Sequence, residues 1–268
     1  MKKYFEVIGF VTLAIFSFYF TSKTSTVIKN TDDIMIKIKE NMDNKKTNPV
    51  DALIEDDTII PGISGIEIDI SKSYDSMKKI GTYSDNLLIY KKIKPNISTS
   101  NIYNKYVISG NPNKNQITLI FKVNENNLDL LISILKENNV KANIFTVDKM
   151  DDSILNLVRE GHNIGTIFNS TWASALVDKI ANQKYNYCYL EEKEKEVLDI
   201  CSMNKSYTVI PSIITKNTPT LTIKKEIKSG SIISMDVNKS LLKELEYIIK
   251  FIKSRGYEIV TLETLLDE

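Results

Sequence analysis

The sequence predicts an α/β fold of parallel strand–helix units, and three observations carry that reading. Gln116-Ile117-Thr118-Leu119-Ile120-Phe121 is an apolar run of strand length, and Asn127 to Glu137 keeps helical spacing. Ala142 to Val147 is a second buried strand, and Ser153 to Glu160 is a second helix stopped by Gly161. The pattern returns near the end: strand Gly230 to Met235, helix Lys239 to Ser254 with its stripe Leu241, Leu245, Ile248 and Ile252, a terminating Gly256, then strand Tyr257 to Leu262. The length, 268 residues, suits one sizeable α/β domain plus an appendage.

From the start of the chain, Met1-Lys2-Lys3 precedes an apolar run from Val7 to Phe20 that closes at Thr21-Ser22-Lys23. The run lacks small residues at A-x-A spacing and a lipoprotein cysteine, so an uncleaved membrane anchor over residues 1–23 is favoured over a cleaved signal peptide. With Lys2 and Lys3 held inside, the rest of the chain is expected to be extracytoplasmic. Residues 24–57 turn polar and read as a stalk, although Ile34, Ile38 and Met42 keep helical spacing up to Pro49.

Residues 58–105 read as a small α+β module. Ile66, Ile68 and Ile70 alternate with Glu67 and Asp69, Ser71 is placed to cap a short helix ending at Gly81, and Leu87 to Tyr90 forms a second strand. The large domain then occupies 106–268. Within it Trp172 to Gln183 is ambiguous, Tyr185 to Tyr189 is a short strand or a bend, Glu191 to Ile200 a helix, and Tyr207 to Pro211 a further strand.

Composition excludes several functions. Lys+Arg number 35 against 34 Asp+Glu, a near-neutral balance without the electrostatic footprint of a nucleic-acid binder. One histidine, His162, and two cysteines, Cys188 and Cys201, are too few for a His-rich or Cys-rich metal site. No G-x-S-x-G elbow and no glycine-rich phosphate loop occur.

The words "TLIF", "ILKENNVKANIFTV" and "LVREGHNIGT", followed by "GSIISMD" and "RGYEIVTLETLL", resemble the polysaccharide deacetylase family, the NodB-homology domain, from Tyr106 onward. The resemblance implies a distorted (β/α) barrel. In that family one aspartate and two histidines hold a divalent metal, a second aspartate is the general base, and a late histidine is the general acid. Here the two aspartate positions hold Lys122 and Val123, the two histidine positions Ile167 and Thr171, and the acid position falls at Met235-Asp236. His162 matches the family histidine that sits in a turn off the metal, and the Arg-Pro-Pro motif becomes Val209-Ile210-Pro211. The expectation is a deacetylase scaffold without catalytic residues, metal or cofactor.

Polar groups remain at the expected C-terminal strand ends, where sites of such folds gather. Lys122, Asn124, Asn169, Trp172 and Asp236 are the candidate binding residues of a vestigial pocket, with Trp172 as a stacking face for a sugar. Lys122 and Asp236 are expected to pair as a salt bridge in place of the lost metal. An outward location permits a disulfide, but Cys201 suits a buried helix face, and two free thiols are expected. The expected role is a cell-wall glycan-binding or scaffolding module anchored in the membrane. The alternatives are an active carbohydrate deacetylase with a rearranged site and a partner of another envelope protein.

Overall fold

The structure is a computed structural model that describes residues 2–123, 127–146, 154–167 and 186–268. Its N-terminal elements are α1 (Lys2–Asn30), α2 (Asp33–Glu40), β1 (Leu53–Glu55), β2 (Thr58–Ile60), β3 (Gly65–Ile68), α3 (Ile70–Lys78) and β4 (Tyr90–Ile93). Next come β5 (Tyr106–Val107), β6 (Gln116–Val123), α4 (Leu128–Glu137), β7 (Asn143–Thr146), α5 (Ile154–Arg159) and β8 (Asn163–Ile167). The chain closes with β9 (Asn186–Tyr189), α6 (Lys195–Met203), β10 (Ser206–Val209), β11 (Ile213–Thr215), α7 (Pro219–Glu226), β12 (Ile232–Asp236), α8 (Lys239–Ser254), β13 (Glu258–Val260) and α9 (Leu262–Leu266).

The chain divides into two compact units, Met1–Pro49 with Ser64–Ile93, and Val50–Ile63 with Lys94–Glu268. The division departs from the sequence boundaries at 57 and 105. Ile34, Met35 and Ile38 of α2 are buried with Ile68, Tyr74, Met77 and Leu88, so part of the expected stalk is half of a small core. Asp32 fixes the start of α2. Its carboxylate accepts from the Ile34 amide, from Tyr74 Oη at 3.2 Å and from Lys78 Nζ at 2.5 Å. β3 and β4 pair antiparallel from Gly65↔Ile93 to Ile68↔Tyr90. The second strand of this unit therefore begins at Tyr90, where the sequence placed its end.

The described side chains of α1 between residues 9 and 21 are exposed, including Phe10, Leu13, Phe16, Phe18 and Phe20. Among the described residues no helix is long and apolar enough to cross a membrane. The side chains of residues 1–8, where the apolar run begins, lie outside the described set.

Among the described residues of the larger unit, ten strands follow the order β1-β2-β5-β10-β9-β8-β7-β6-β12-β11, with β13 joined to β6 as an eleventh. All ladders are parallel except β1–β2. The α/β class is as expected, whereas the distorted barrel is not seen as a closed ring. β1 and β11 end the path, and no ladder joins them among the described residues.

β6 is the pivot. β12 pairs with Thr118 to Lys122, β13 with Gln116 to Thr118, and β7 with Ile120 to Val123. Because β12 occupies one edge throughout, β13 and β7 share the other. Asn143 sits at the handover. Its Nδ2 donates to Thr118 Oγ1 and to the Leu119 carbonyl, both at 2.7 Å, and its Oδ1 accepts from the Leu262 amide at 2.7 Å. A buried carboxamide with both ends bonded fixes register that apolar packing alone leaves open.

Strand alternation sorts β6 into two faces. Ile117, Leu119, Phe121 and Val123 pack with Leu131 and Leu135 of α4 and with Leu241, Leu245, Ile248, Ile249 and Ile252 of α8. Ile120 lies on the other face with Phe145, Tyr187, Tyr189, Tyr207 and Ile232. Gly165, paired with Phe145 across β7–β8, leaves room for that ring, since a Cβ there would come within 2.3 Å of it.

Cys188 on β9 and Cys201 on α6 form a disulfide, which corrects the expectation of free thiols. Cys201 is buried on its helix face as expected, but that face packs with Tyr106 and Leu190 beside β9, and the two Cα atoms stand 6.3 Å apart. Trp172 to Gln183 lies outside the described residues. β1, β11 and α7 were not anticipated; each is short, and Pro211 and Pro219 break up the sequence signal around the last two. Replacing both cysteines by serine is expected to lower stability by about 3 kcal/mol, the scale for a loop of this order. Urea unfolding of the two proteins with unchanged slope checks it.

Candidate functional site

Lys122 is the penultimate residue of β6, on the face shared with the tyrosines, and its side chain is only 14% exposed. A lysine placed there requires partners for its charge. Asp236, its register partner at the end of β12, accepts from Nζ at 2.8 Å, and Glu191, just past β9, accepts at 2.6 Å. Both carboxylates remain about half exposed, so the ion cluster is sheltered at its cation and wet at its anions.

The phenol of Tyr189 completes the cluster. Its hydroxyl lies 3.3 Å from Glu191 Oε1, which accepts from it, and 2.8 Å from Ser234 Oγ, and the Lys122 ammonium lies 5.5 Å from its ring centre. Behind it Phe145 packs at 5.6 Å, and Tyr187, Tyr207 and Tyr103 continue the aromatic filling.

Electrostatics follow from this packing. Burial draws the Lys122 pKa down, but hydrogen bonds to Asp236 and Glu191 outweigh it, and the ammonium persists above the usual lysine range. The Lys122 hydrogen bond holds the Glu191 carboxyl below the usual carboxylate range, and burial pushes the Tyr189 phenol up to about 12. Lys122, Glu191 and Tyr189 therefore each hold a single charge state near neutral pH.

Of the candidate binding residues, the structure brings Lys122 and Asp236 together in the expected salt bridge. Asn124, Asn169 and Trp172 lie outside the described residues, as does Thr171. Val123 does not border the same space: it is buried in the helix-facing core, on the opposite side of β6 from Lys122. Glu191 and Tyr189 were missed because Glu191 reads as the start of a charged helix. Period-two counting along β9 puts Tyr187, Tyr189 and Glu191 on one face and is the signal that finds them.

Asp236 also lines a pocket of about 220 Å³ at the ends of β11 and β12, with Thr215, Lys216, Asn217, Pro219, Asn238, Ser240 and Leu241. Asn238 caps α8, its Oδ1 accepting from the Ser240 and Leu241 amides. The rim is polar, offering hydroxyl, carboxamide, ammonium and carboxylate groups to a polyhydroxylated ligand.

The family resemblance implies a divalent metal at these strand ends, and the described residues there do not fit one. An ammonium already takes the two carboxylates, Val123 and Ile167 carry no donor, and among the described residues no group of three His, Cys, Asp or Glu side chains is assembled.

With the geometry in hand, comparison places the fold: it is that of the CE4 family of carbohydrate esterases, the polysaccharide deacetylases. No family model matches the chain. The wild-type protein BA3943 of Bacillus anthracis, described as a CE4 family pseudoenzyme, superposes with a TM-score of 0.66 at 21% identity, covering 89% of this chain and 96% of its own. The Bc1960 peptidoglycan N-acetylglucosamine deacetylase superposes with a TM-score of 0.52 at 20% identity, over 60% of this chain and 92% of its own. In sequence, the uncharacterized protein YlxY of Bacillus subtilis (strain 168) is 25% identical over 277 residues, 91% of this chain and 87% of that protein.

Replacing Lys122 by methionine leaves two carboxylates and a phenol facing each other without their cation. The variant is expected to lose about 1–2 kcal/mol, discounted from a fully buried pair because both anions are half in water. Thermal melting checks it, and a variant that melts no lower than the parent sinks the view of Lys122 as the pin of this site.

Proposed function

We propose that this chain is a deacetylase-fold protein without deacetylase chemistry, a membrane-anchored module that binds or scaffolds cell-wall glycan outside the cytoplasm. The observation that carries the reading is the Lys122 cluster. At strand ends where the family keeps a base and a metal ligand, this chain has an ammonium locked to Asp236 and Glu191.

Several features support the rest. The likeness in fold to BA3943, itself described as a pseudoenzyme, favours a non-catalytic role. The name of the Bc1960 protein points to peptidoglycan as the kind of polymer to test. The polar pocket beside Asp236 offers hydrogen-bonding groups for sugar hydroxyls. The Cys188–Cys201 disulfide fits an oxidising compartment, and the exposed phenylalanines of α1 fit a lipid environment.

The test is made on the full chain in detergent micelles, because α2 belongs to the small core and a fragment starting at Thr58 discards it. Acetate release from acetylated chitooligosaccharide and from peptidoglycan is measured with and without added zinc, together with sedimentation on insoluble peptidoglycan. No turnover and saturable retention on the glycan are expected, with Asp236→Ala weakening retention about tenfold. Zinc-dependent acetate release overturns the non-catalytic reading. Absence of retention overturns glycan binding in favour of an envelope protein partner.

A further inference from the structure

At the start of β8 and just past the end of β13, a pocket of about 290 Å³ is lined by Val158, Gly161, His162, Asn163, Thr261, Glu263 and Thr264. Two of its polar side chains are more than nine-tenths buried, His162 at 3% exposure and Asn163 at 6%. Each has one end spent and one end unspent. His162 Nδ1 accepts the Ala142 amide at 3.3 Å, which puts the imidazole proton on Nε2. Asn163 Oδ1 accepts the Glu263 amide at 3.1 Å, which leaves the Nδ2 hydrogens. Nε2 and Nδ2 make no hydrogen bond to the described residues, and neither is sealed from solvent, so both open onto the pocket.

Both donors face the space where a ligand that supplies acceptor oxygen can take the place of water. The Glu263 carboxylate, half-buried on the same pocket, supplies the complementary acceptor. That combination selects. A cation meets two N–H donors and a ring whose lone pair is already used, and an anion meets Glu263. A pyranose finds no aromatic face, because the lining carries no ring besides the imidazole. A secondary amide has the matching pair, a carbonyl for His162 and Asn163 and an N–H for Glu263, and Val158 with the threonine methyls gives it small apolar contact.

We propose that this pocket is a binding site for a peptide-type amide, held by His162, Asn163 and Glu263. Burial and the charge of Lys141 also hold the His162 pKa below its ordinary value, keeping the ring neutral and its Nε2–H a donor. The site is independent of the Lys122 cluster and of glycan binding.

His162 is the one histidine of the chain, so its imidazole signals need no assignment. The full chain carrying ¹⁵N-histidine, in detergent micelles, is titrated with N-acetylglycine N-methylamide, with glucose and with acetate, following the imidazole resonances. The expected result is a saturable shift with the amide and none with glucose or acetate, and about tenfold weaker amide binding by E263Q. The ligand-free imidazole signals of E263Q report whether that variant keeps the fold. An unmoved imidazole in the wild-type titration, an equal response to glucose or acetate, or unchanged affinity in a folded E263Q overturns the proposal.

Discussion

The larger unit depends on the two-sided burial of β6. An eight-residue strand with β12 along one edge and β13 and β7 dividing the other is paired on both sides over most of its length, and its alternation assigns each side chain to helix or interior. A slip of one residue sends Ile117, Leu119, Phe121 and Val123 into the tyrosine-lined face and Lys122 under α4 and α8. Asn143 guards against that slip because its three hydrogen bonds are satisfied in one register. The ion cluster inherits its position from the same constraint: Lys122 meets Asp236 because the β6–β12 register makes them partners.

This explains how a lysine comes to occupy such a place. A cation on an aromatic, largely buried face is costly by itself, and two carboxylates from neighbouring strands with a tyrosine ring beside it offset the loss of water. The outcome is an ion cluster whose cation is satisfied within the fold while its two anions stay in contact with water.

Much of the fold was legible because the strongest periodic signals were long. Lys239–Ser254 matches its expected span, and β6, α4, β7, α5 and β12 fall within a few residues of theirs. Short elements were lost. β1 and β11 have three residues each, too few for alternation to show, and Leu87 to Ile89 is apolar but precedes the paired segment. Half of the ion cluster was legible from matching strand ends, Lys122 with Asp236. Glu191 was hidden because it reads as the start of a charged helix; counting by twos along β9 puts it on the face of Tyr187 and Tyr189, but that this face meets Lys122 depends on sheet order. The disulfide was hidden for the same reason, since the nearness of β9 to α6 is a tertiary fact.

The small core of α2, β3, α3 and Leu88 is assembled from two stretches of chain separated by residues that belong to the large sheet. Ribosomal synthesis delivers Ile34, Met35 and Ile38 long before Tyr74, Met77 and Leu88 exist to cover them. Whatever emerges first must therefore wait with a greasy flank bare, and any machinery that moves this chain handles it in that unfinished state.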